Sequence, residues 1–118
     1  MYSPELLDHF EHPRNPGELS DASARVRIEN PACGDVLELS VKIVDDRVEE
    51  IRFRAKGCVP AIACASAIAE LAQGKSIAEA RAIQRDDVVR AVGELPPASG
   101  HAAQLAVEAL HQVLRQAN

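Results

Sequence analysis

The sequence contains no tryptophan, and aromatic residues make up only 3% of its 118 residues. A core without large aromatic side chains must be built from Ala, Leu, Val and Ile, and the hydrophobic content of 47% is sufficient for one. Together with 26% charged residues, this composition gives no indication of disorder and has the size of one domain. We therefore expect residues 1–118 to form a single domain.

Long runs of basic residues and long runs of apolar residues are both missing. The net charge is −5, which makes nucleic acid a poor partner, and no apolar run approaches the roughly 18–20 residues of a membrane span. The first residues, MYSPELLDHF, lack the basic and apolar segments of a secretion signal. We expect a cytoplasmic protein that binds neither nucleic acid nor membranes.

Cysteine is scarce, with three residues at positions 33, 58 and 64. An odd number argues against a closed disulfide framework. In a reducing compartment, such cysteines serve metal or thiol chemistry, or they pack as small hydrophobic side chains. The count alone leaves both interpretations open.

The hydrophobic pattern changes from helix to strand and back to helix. Residues 3–11 predict a helix that Ser3 caps and Pro4 opens. Residues 25–29, 36–44 and 48–56 alternate polar and apolar, which predicts three strands of an antiparallel sheet. The turn Asp45–Asp46–Arg47 joins the last two strands as a hairpin.

The second half of the chain is predicted to be helical. We expect a helix over 60–73, a short helix capped by Ser76 and Glu79, another capped by Asp86, and a last helix over 101–116. The predicted fold class is α+β: an N-terminal helix, a three-stranded antiparallel sheet, and a helical half packed on one sheet face.

The predicted hairpin brings chemically active residues together. If its turn centres near Asp46, residues whose numbers sum to about 92 lie opposite one another, so Cys33, Asp35 and Cys58 meet at one end of the sheet. Two thiols and a carboxylate form an incomplete metal or iron–sulfur site, which His101 at the start of the last helix would complete. Alone, Asp35 could be a turn residue and His101 an exposed polar one; their combination favours a metal site.

Several separate motifs, in order along nearly the whole chain, resemble the IscU/NifU-type iron–sulfur cluster assembly scaffolds. The matching segments are Tyr2-Ser3, Asp8-His9-Phe10, Asn15-Pro16, Pro31-Ala32-Cys33-Gly34-Asp35, Lys56-Gly57-Cys58, Ala61-Ile62-Ala63, Gly74-Lys75-Ser76, Glu94-Leu95-Pro96-Pro97 and His101.

The resemblance implies a SufE/NifU-like fold and a scaffold function rather than an enzyme. Such a scaffold receives sulfur from a cysteine desulfurase and iron from an iron donor, builds a [2Fe–2S] cluster and passes it to apo-protein acceptors. Cys33, Cys58 and His101 match family ligands, and Asp35 matches the aspartate that keeps the cluster labile. Zn²⁺ can occupy the same ligands.

The chain departs from the family at three positions. Ala102 stands where a ligand cysteine follows the histidine, and Cys64 stands where the family usually has serine. Cys64 lies about 9 Å along a helix from Cys58, which favours a buried cysteine over an alternative thiol ligand. Ser99 replaces the lysine of the chaperone-dependent branch, so recognition by the dedicated Hsp70-type chaperone is in doubt.

These departures leave three hypotheses. The first is a working scaffold with altered ligation. The second is a zinc-binding or sulfur-relay domain that docks on a desulfurase without building clusters. The third is a relative that binds no metal and whose cysteines only pack.

Overall fold

The computed structural model describes residues 2–32 and 34–117 and confirms the α+β class. Its elements follow in the order helix, three strands, four helices. Their bounds are α1 Pro4–Glu11, β1 Ala24–Asn30, β2 Asp35–Val44, β3 Arg47–Lys56, α2 Val59–Ala72, α3 Ile77–Arg81, α4 Arg85–Ala91 and α5 Gly100–Ala117, with a 3₁₀ turn at Pro97–Ser99 before α5. None of these helices has the length and hydropathy of a membrane span.

The three strands form one antiparallel sheet in the order β1-β2-β3. The β2–β3 hairpin turns on two residues, Asp45 and Asp46, which both have positive φ, as a type I′ turn requires. Arg47 pairs with Val44 and is therefore the first residue of β3, not part of the turn as the sequence pattern predicted.

An irregularity next to Lys42 and Ile43 then changes the register by one residue. Near the turn, Val44 lies opposite Arg47, a sum of 91, whereas Val36 lies opposite Lys56, a sum of 92. The predicted sum is therefore correct at the far end of the sheet, where the candidate site lies. Because a one-residue slip reverses every side chain, this bulge decides which residues meet there.

The core lies between the inner sheet face and the two long helices α2 and α5. The fully buried large side chains include Leu39, Val41, Ile51, Ile68, Leu110 and Leu114. Helix α2 is buried on nearly all sides, and six of its residues are alanine. These small side chains allow α2 to pack closely against α1, α5 and β3.

The helix caps agree with the sequence except at α4. Ser3 accepts a hydrogen bond from the Leu6 backbone N–H, and Ser76 forms a reciprocal capping box with Glu79. Helix α4 instead has Gln84 as its N-cap, and the Asp87 side chain accepts from the Gln84 backbone N–H. The prediction that Asp86 caps this helix was wrong, because Asp86 lies within its first turn.

A buried polar cluster fastens α1 to α2. His9 is 4% exposed and Ser66 is fully buried. The Ser66 hydroxyl lies 2.8 Å from His9 Nδ1 and accepts a hydrogen bond from the Arg14 backbone N–H, while His9 Nε2 lies 3.6 Å from Glu70 Oε1. The arrangement fits a neutral imidazole that accepts at Nδ1 and carries its proton at Nε2, on the side of the Glu70 carboxylate. Burial lowers the pKa of His9 below its usual value.

This cluster predicts a loss of stability in mild acid. The unfolded chain takes up a proton at His9 near pH 6.5, whereas the folded chain resists protonation. The contribution of His9 is therefore complete above about pH 6.5, and it is lost as the pH falls through the lower folded-state pKa. Urea unfolding followed by circular dichroism at several values between about pH 7.5 and pH 5 should show the free energy of unfolding decreasing.

The matched variants are His9→Asn and His12→Asn. His12 is exposed, so its replacement should keep the acid-dependent decrease, while the His9 variant should show a smaller one. Equal pH dependence in the two variants would contradict the assignment to His9.

Candidate functional site

Asp35 is the centre of the candidate site. It is the first residue of β2 and its side chain is fully buried. The register places it beside Gly57, where a side-chain Cβ would lie only 2.1 Å from Asp35 Oδ1. Gly57 has a φ of +139°, which L side chains rarely adopt. The carboxylate can therefore occupy this position only because residue 57 is glycine.

Cys58 follows directly and is the N-cap of α2. Its backbone N–H donates to Asp35 Oδ1 at 3.0 Å, and its thiol lies 3.6 Å from Asp35 Oδ2. Burial, aided by the Asp35 carboxylate, raises the pKa of the Cys58 thiol above its usual value. The thiol is therefore protonated at neutral pH before a metal binds, and binding must release this proton.

His101 approaches Asp35 from the other side. It is the second residue of α5, and its Nε2 lies 3.2 Å from Asp35 Oδ2. The imidazole side chain is about one third exposed, at 31%, while that of Asp35 is 1% exposed. The N-termini of α2 and α5 thus both face the carboxylate, and each carries a partial positive charge that favours an anion there.

The three side chains fit a metal ion. Their nearest ligand atoms, one sulfur, one oxygen and one nitrogen, all lie within 4.8 Å of one another. Metal–ligand bonds of 2.0–2.3 Å in a tetrahedron give ligand separations of about 3.3–3.8 Å. The observed separations of 3.2 and 3.6 Å from Asp35 Oδ2 are close to these values.

The sequence also predicted Cys33 as a ligand, but this residue lies outside the described ranges. Its neighbour Gly34 has a φ of +73° and donates from its backbone N–H to the carbonyl of Asn30. This hydrogen bond joins the last residue of β1 to the residue before β2. Cys33 as the second thiol ligand therefore stays a prediction.

Cys64 is separate from the exposed surface of the site. It lies in α2 with no exposed area, and burial raises the pKa of its thiol to about 12. Cys58 in contrast is exposed as a residue, and only its thiol is partly buried. A thiol that is both buried and protonated is a poor ligand and a poor nucleophile. This placement favours packing, which is the interpretation that the helix spacing indicated.

One neighbour of the site was not recognised in the sequence. The Arg85 guanidinium packs against the start of α5, where a Cβ at Gly100 would lie 2.7 Å from Arg85 Nη2. Ala102, which the sequence marked as the position of the missing family cysteine, is 1% exposed, so a side chain directly after His101 is buried. The arginine gave no signal because it is distant in sequence and belongs to no motif.

Comparison with known proteins identifies the family. The NifU-like N-terminal domain family matches residues 1–117. The chain belongs to this family. It is 43% identical over 114 residues to the iron-sulfur cluster assembly scaffold protein IscU 1 of Archaeoglobus fulgidus, covering 97% of this chain and 74% of that protein. It is 40% identical to the IscU scaffold protein of Escherichia coli, covering 92% and 88%.

A solved structure agrees with the fold of this NifU-like domain. The N-terminal NifU-like protein of Brucella abortus superposes with a TM-score of 0.82 over 98% of this chain and 92% of that one. The sequences are only 18% identical, so this likeness bears on the fold alone.

The contact between Gly57 and Asp35 gives a test of the site in this NifU-like domain. Gly57→Ala places a methyl group into Asp35 Oδ1 and should displace the carboxylate. We expect zinc affinity to fall by about tenfold or more, since supporting contacts at metal sites contribute about 10–100-fold. Competition with a chromophoric chelator measures this affinity.

Gly17→Ala is the matched control. Gly17 also has a left-handed φ, +120°, but nothing lies within 4 Å of an added Cβ. Both variants carry the conformational cost of alanine at positive φ, and only Gly57→Ala meets Asp35. Equal zinc affinity in the two variants would show that Asp35 does not depend on Gly57.

Proposed function

We propose that this domain is a scaffold for iron–sulfur cluster assembly. It accepts sulfur from a cysteine desulfurase, binds iron or a [2Fe–2S] cluster, and passes the cluster to apo-proteins. The observation that carries the proposal is the meeting of Asp35, Cys58 and His101 in a chain 43% identical to a named IscU scaffold. Scaffold action, in which the cluster is cargo, distinguishes this role from that of an enzyme.

The proposed ligand set is Cys33, Asp35, Cys58 and His101. Thiolates bind iron and zinc strongly, and the carboxylate is a harder ligand that binds these ions less tightly. A set with two thiols and one carboxylate therefore holds its cargo without making release difficult. The exposed Cys58 and the partly exposed His101 lie where an acceptor protein can reach them.

Cys58 is the better of the two described cysteines for receiving sulfur. Cys58 is exposed, and its thiol needs only to lose its proton before it can react. Cys64, in contrast, is enclosed in the core. We therefore assign sulfur acceptance to Cys58 or to Cys33. The expected partners are the desulfurase, an iron donor and apo-protein acceptors, and the expected compartment is the reducing cytoplasm, in which these thiols stay free.

Ala102 supports a second candidate function. With a buried methyl group in place of a third family thiol, four ligands remain (two thiols, one carboxylate and one imidazole), which suits a single tetrahedral Zn²⁺. In that case the domain would bind zinc or relay sulfur on a desulfurase without completing a cluster.

Anaerobic reconstitution with iron, cysteine and a desulfurase separates the two functions. The scaffold proposal predicts visible absorption from a cluster in the wild type, its loss in Cys58→Ala, and its retention in Cys64→Ala. Both substitutions remove one thiol, and only the first removes a proposed ligand. Transfer to an apo-ferredoxin, followed by its own spectrum, measures the last step.

Other outcomes would change the proposed function or the proposed ligands. A colourless protein that retains one zinc per chain would replace the scaffold proposal with the zinc or relay function. A cluster lost in Cys64→Ala, with that variant folded by circular dichroism, would make Cys64 a ligand. In Ala102→Cys we expect a longer cluster lifetime, and an unchanged lifetime would show that the third thiol is not limiting.

A further inference from the structure

A group of basic residues lies away from the candidate metal centre. A cleft of about 360 Å³ opens between the end of α3 and the last turns of α5. Within residues 2–32 and 34–117, each residue that lines it is basic: Arg81, His111 and Arg115. In a chain with a net charge of −5, such a concentration of positive side chains is unexpected.

The backbone fixes these three residues relative to one another. Arg81 is the last residue of α3, while His111 and Arg115 are four residues apart on one face of α5. His111 Nε2 donates to the Ile83 carbonyl at 3.1 Å, which ties α5 to the loop after α3. The two walls of the cleft are therefore joined by a hydrogen bond.

The two arginines lack acidic partners in the described part of the chain. Neither Arg81 nor Arg115 forms an ion pair there, whereas Arg14, Arg25, Arg27, Arg52, Arg54 and Arg90 each do. Both arginines are exposed and extend toward the same cleft. Two like charges near one another are unfavourable unless something negative offsets them.

The helix ends supply only part of that offset. Arg81 and Arg115 lie at the C-terminal turns of α3 and α5, where the partial negative charge of each helix is at most about half a unit. Two guanidinium groups carry two units, so the helix ends offset at most about half of their charge. An added anion would offset more of it.

We propose that the cleft binds the phosphoryl group of a small molecule. Guanidinium groups match phosphate oxygens with two parallel hydrogen bonds, and two arginines at one cleft can hold several oxygens at once. The cleft volume is at the lower end of small-molecule sites, which accommodates inorganic phosphates and nucleotides. The proposal goes beyond cluster assembly and uses none of its residues.

The phosphoryl site is distinct from the metal centre. His111 and Arg115 follow His101 by ten and fourteen residues in the same helix, so they lie roughly 15 and 21 Å along its axis. The two sites occupy opposite ends of α5. A ligand at one therefore does not contact a ligand at the other.

Pyrophosphate binding to the metal-free protein at low salt tests the proposal. We expect saturable backbone amide shifts in nuclear magnetic resonance spectra, concentrated at residues 81–83 and 111–115. Arg81→Gln and Arg115→Gln should each weaken binding by about tenfold, since each removes charge-assisted hydrogen bonds, and the double variant should abolish saturation. Lys75→Gln, which removes one exposed charge outside the cleft, is the control and should bind normally.

Two further ligands identify the source of the phosphate. Adenosine diphosphate binding at least as tightly as pyrophosphate, with no binding of adenosine, supports a nucleotide ligand; pyrophosphate binding alone supports a free phosphate. Equal affinities in Lys75→Gln and the double variant would overturn the proposal. Amide shift changes that do not saturate, or that chloride at the same concentration also produces, would overturn the proposal too.

Discussion

The candidate site depends on the contacts of the buried Asp35 carboxylate. This carboxylate receives the Cys58 backbone N–H on one oxygen, and it meets the Cys58 thiol and the His101 imidazole on the other. It therefore connects the start of β2 to the N-termini of α2 and α5. Burying a charged group is costly unless it is compensated, and these hydrogen bonds and helix ends supply the compensation. The same contacts hold the three side chains at separations that suit a metal ion.

That arrangement in turn depends on the register of β2 and β3. If the pairing set by the two-residue turn continued unchanged along the strands, the numbers of paired residues would always sum to 91. Asp35 would then lie opposite Lys56. The irregularity next to Lys42 and Ile43 moves the far end to 92, so Asp35 lies beside Gly57. Only glycine leaves space for the carboxylate there. A feature of the sheet about seven residues from the site thus controls which side chains meet in it.

The fold, and the meeting of Asp35 with Cys58, could be predicted from the sequence because they rest on local patterns; the approach of His101 was expected from its place at the start of the last helix and from the family resemblance. Strand alternation, the Ser3 and Ser76 caps and the hairpin are each encoded within a few residues, and the hairpin brings Asp35 to Cys58. The α4 cap was mispredicted because several polar residues compete there, and Gln84 was not recognised among them. His9 with Ser66, and Arg85 with Gly100, were not predicted, since such contacts depend on tertiary packing and leave no periodic signal.

We propose that two thiols, those of Cys33 and Cys58, the Asp35 carboxylate and the His101 imidazole form the metal centre. X-ray absorption at the zinc edge of the zinc-loaded protein tests it directly, because sulfur ligands at about 2.3 Å separate from nitrogen and oxygen ligands at about 2.0–2.2 Å. We expect two sulfur ligands and two lighter ligands, with one sulfur lost in Cys58→Ala. Three sulfur ligands, or a spectrum unchanged in that variant, would contradict this set of ligands.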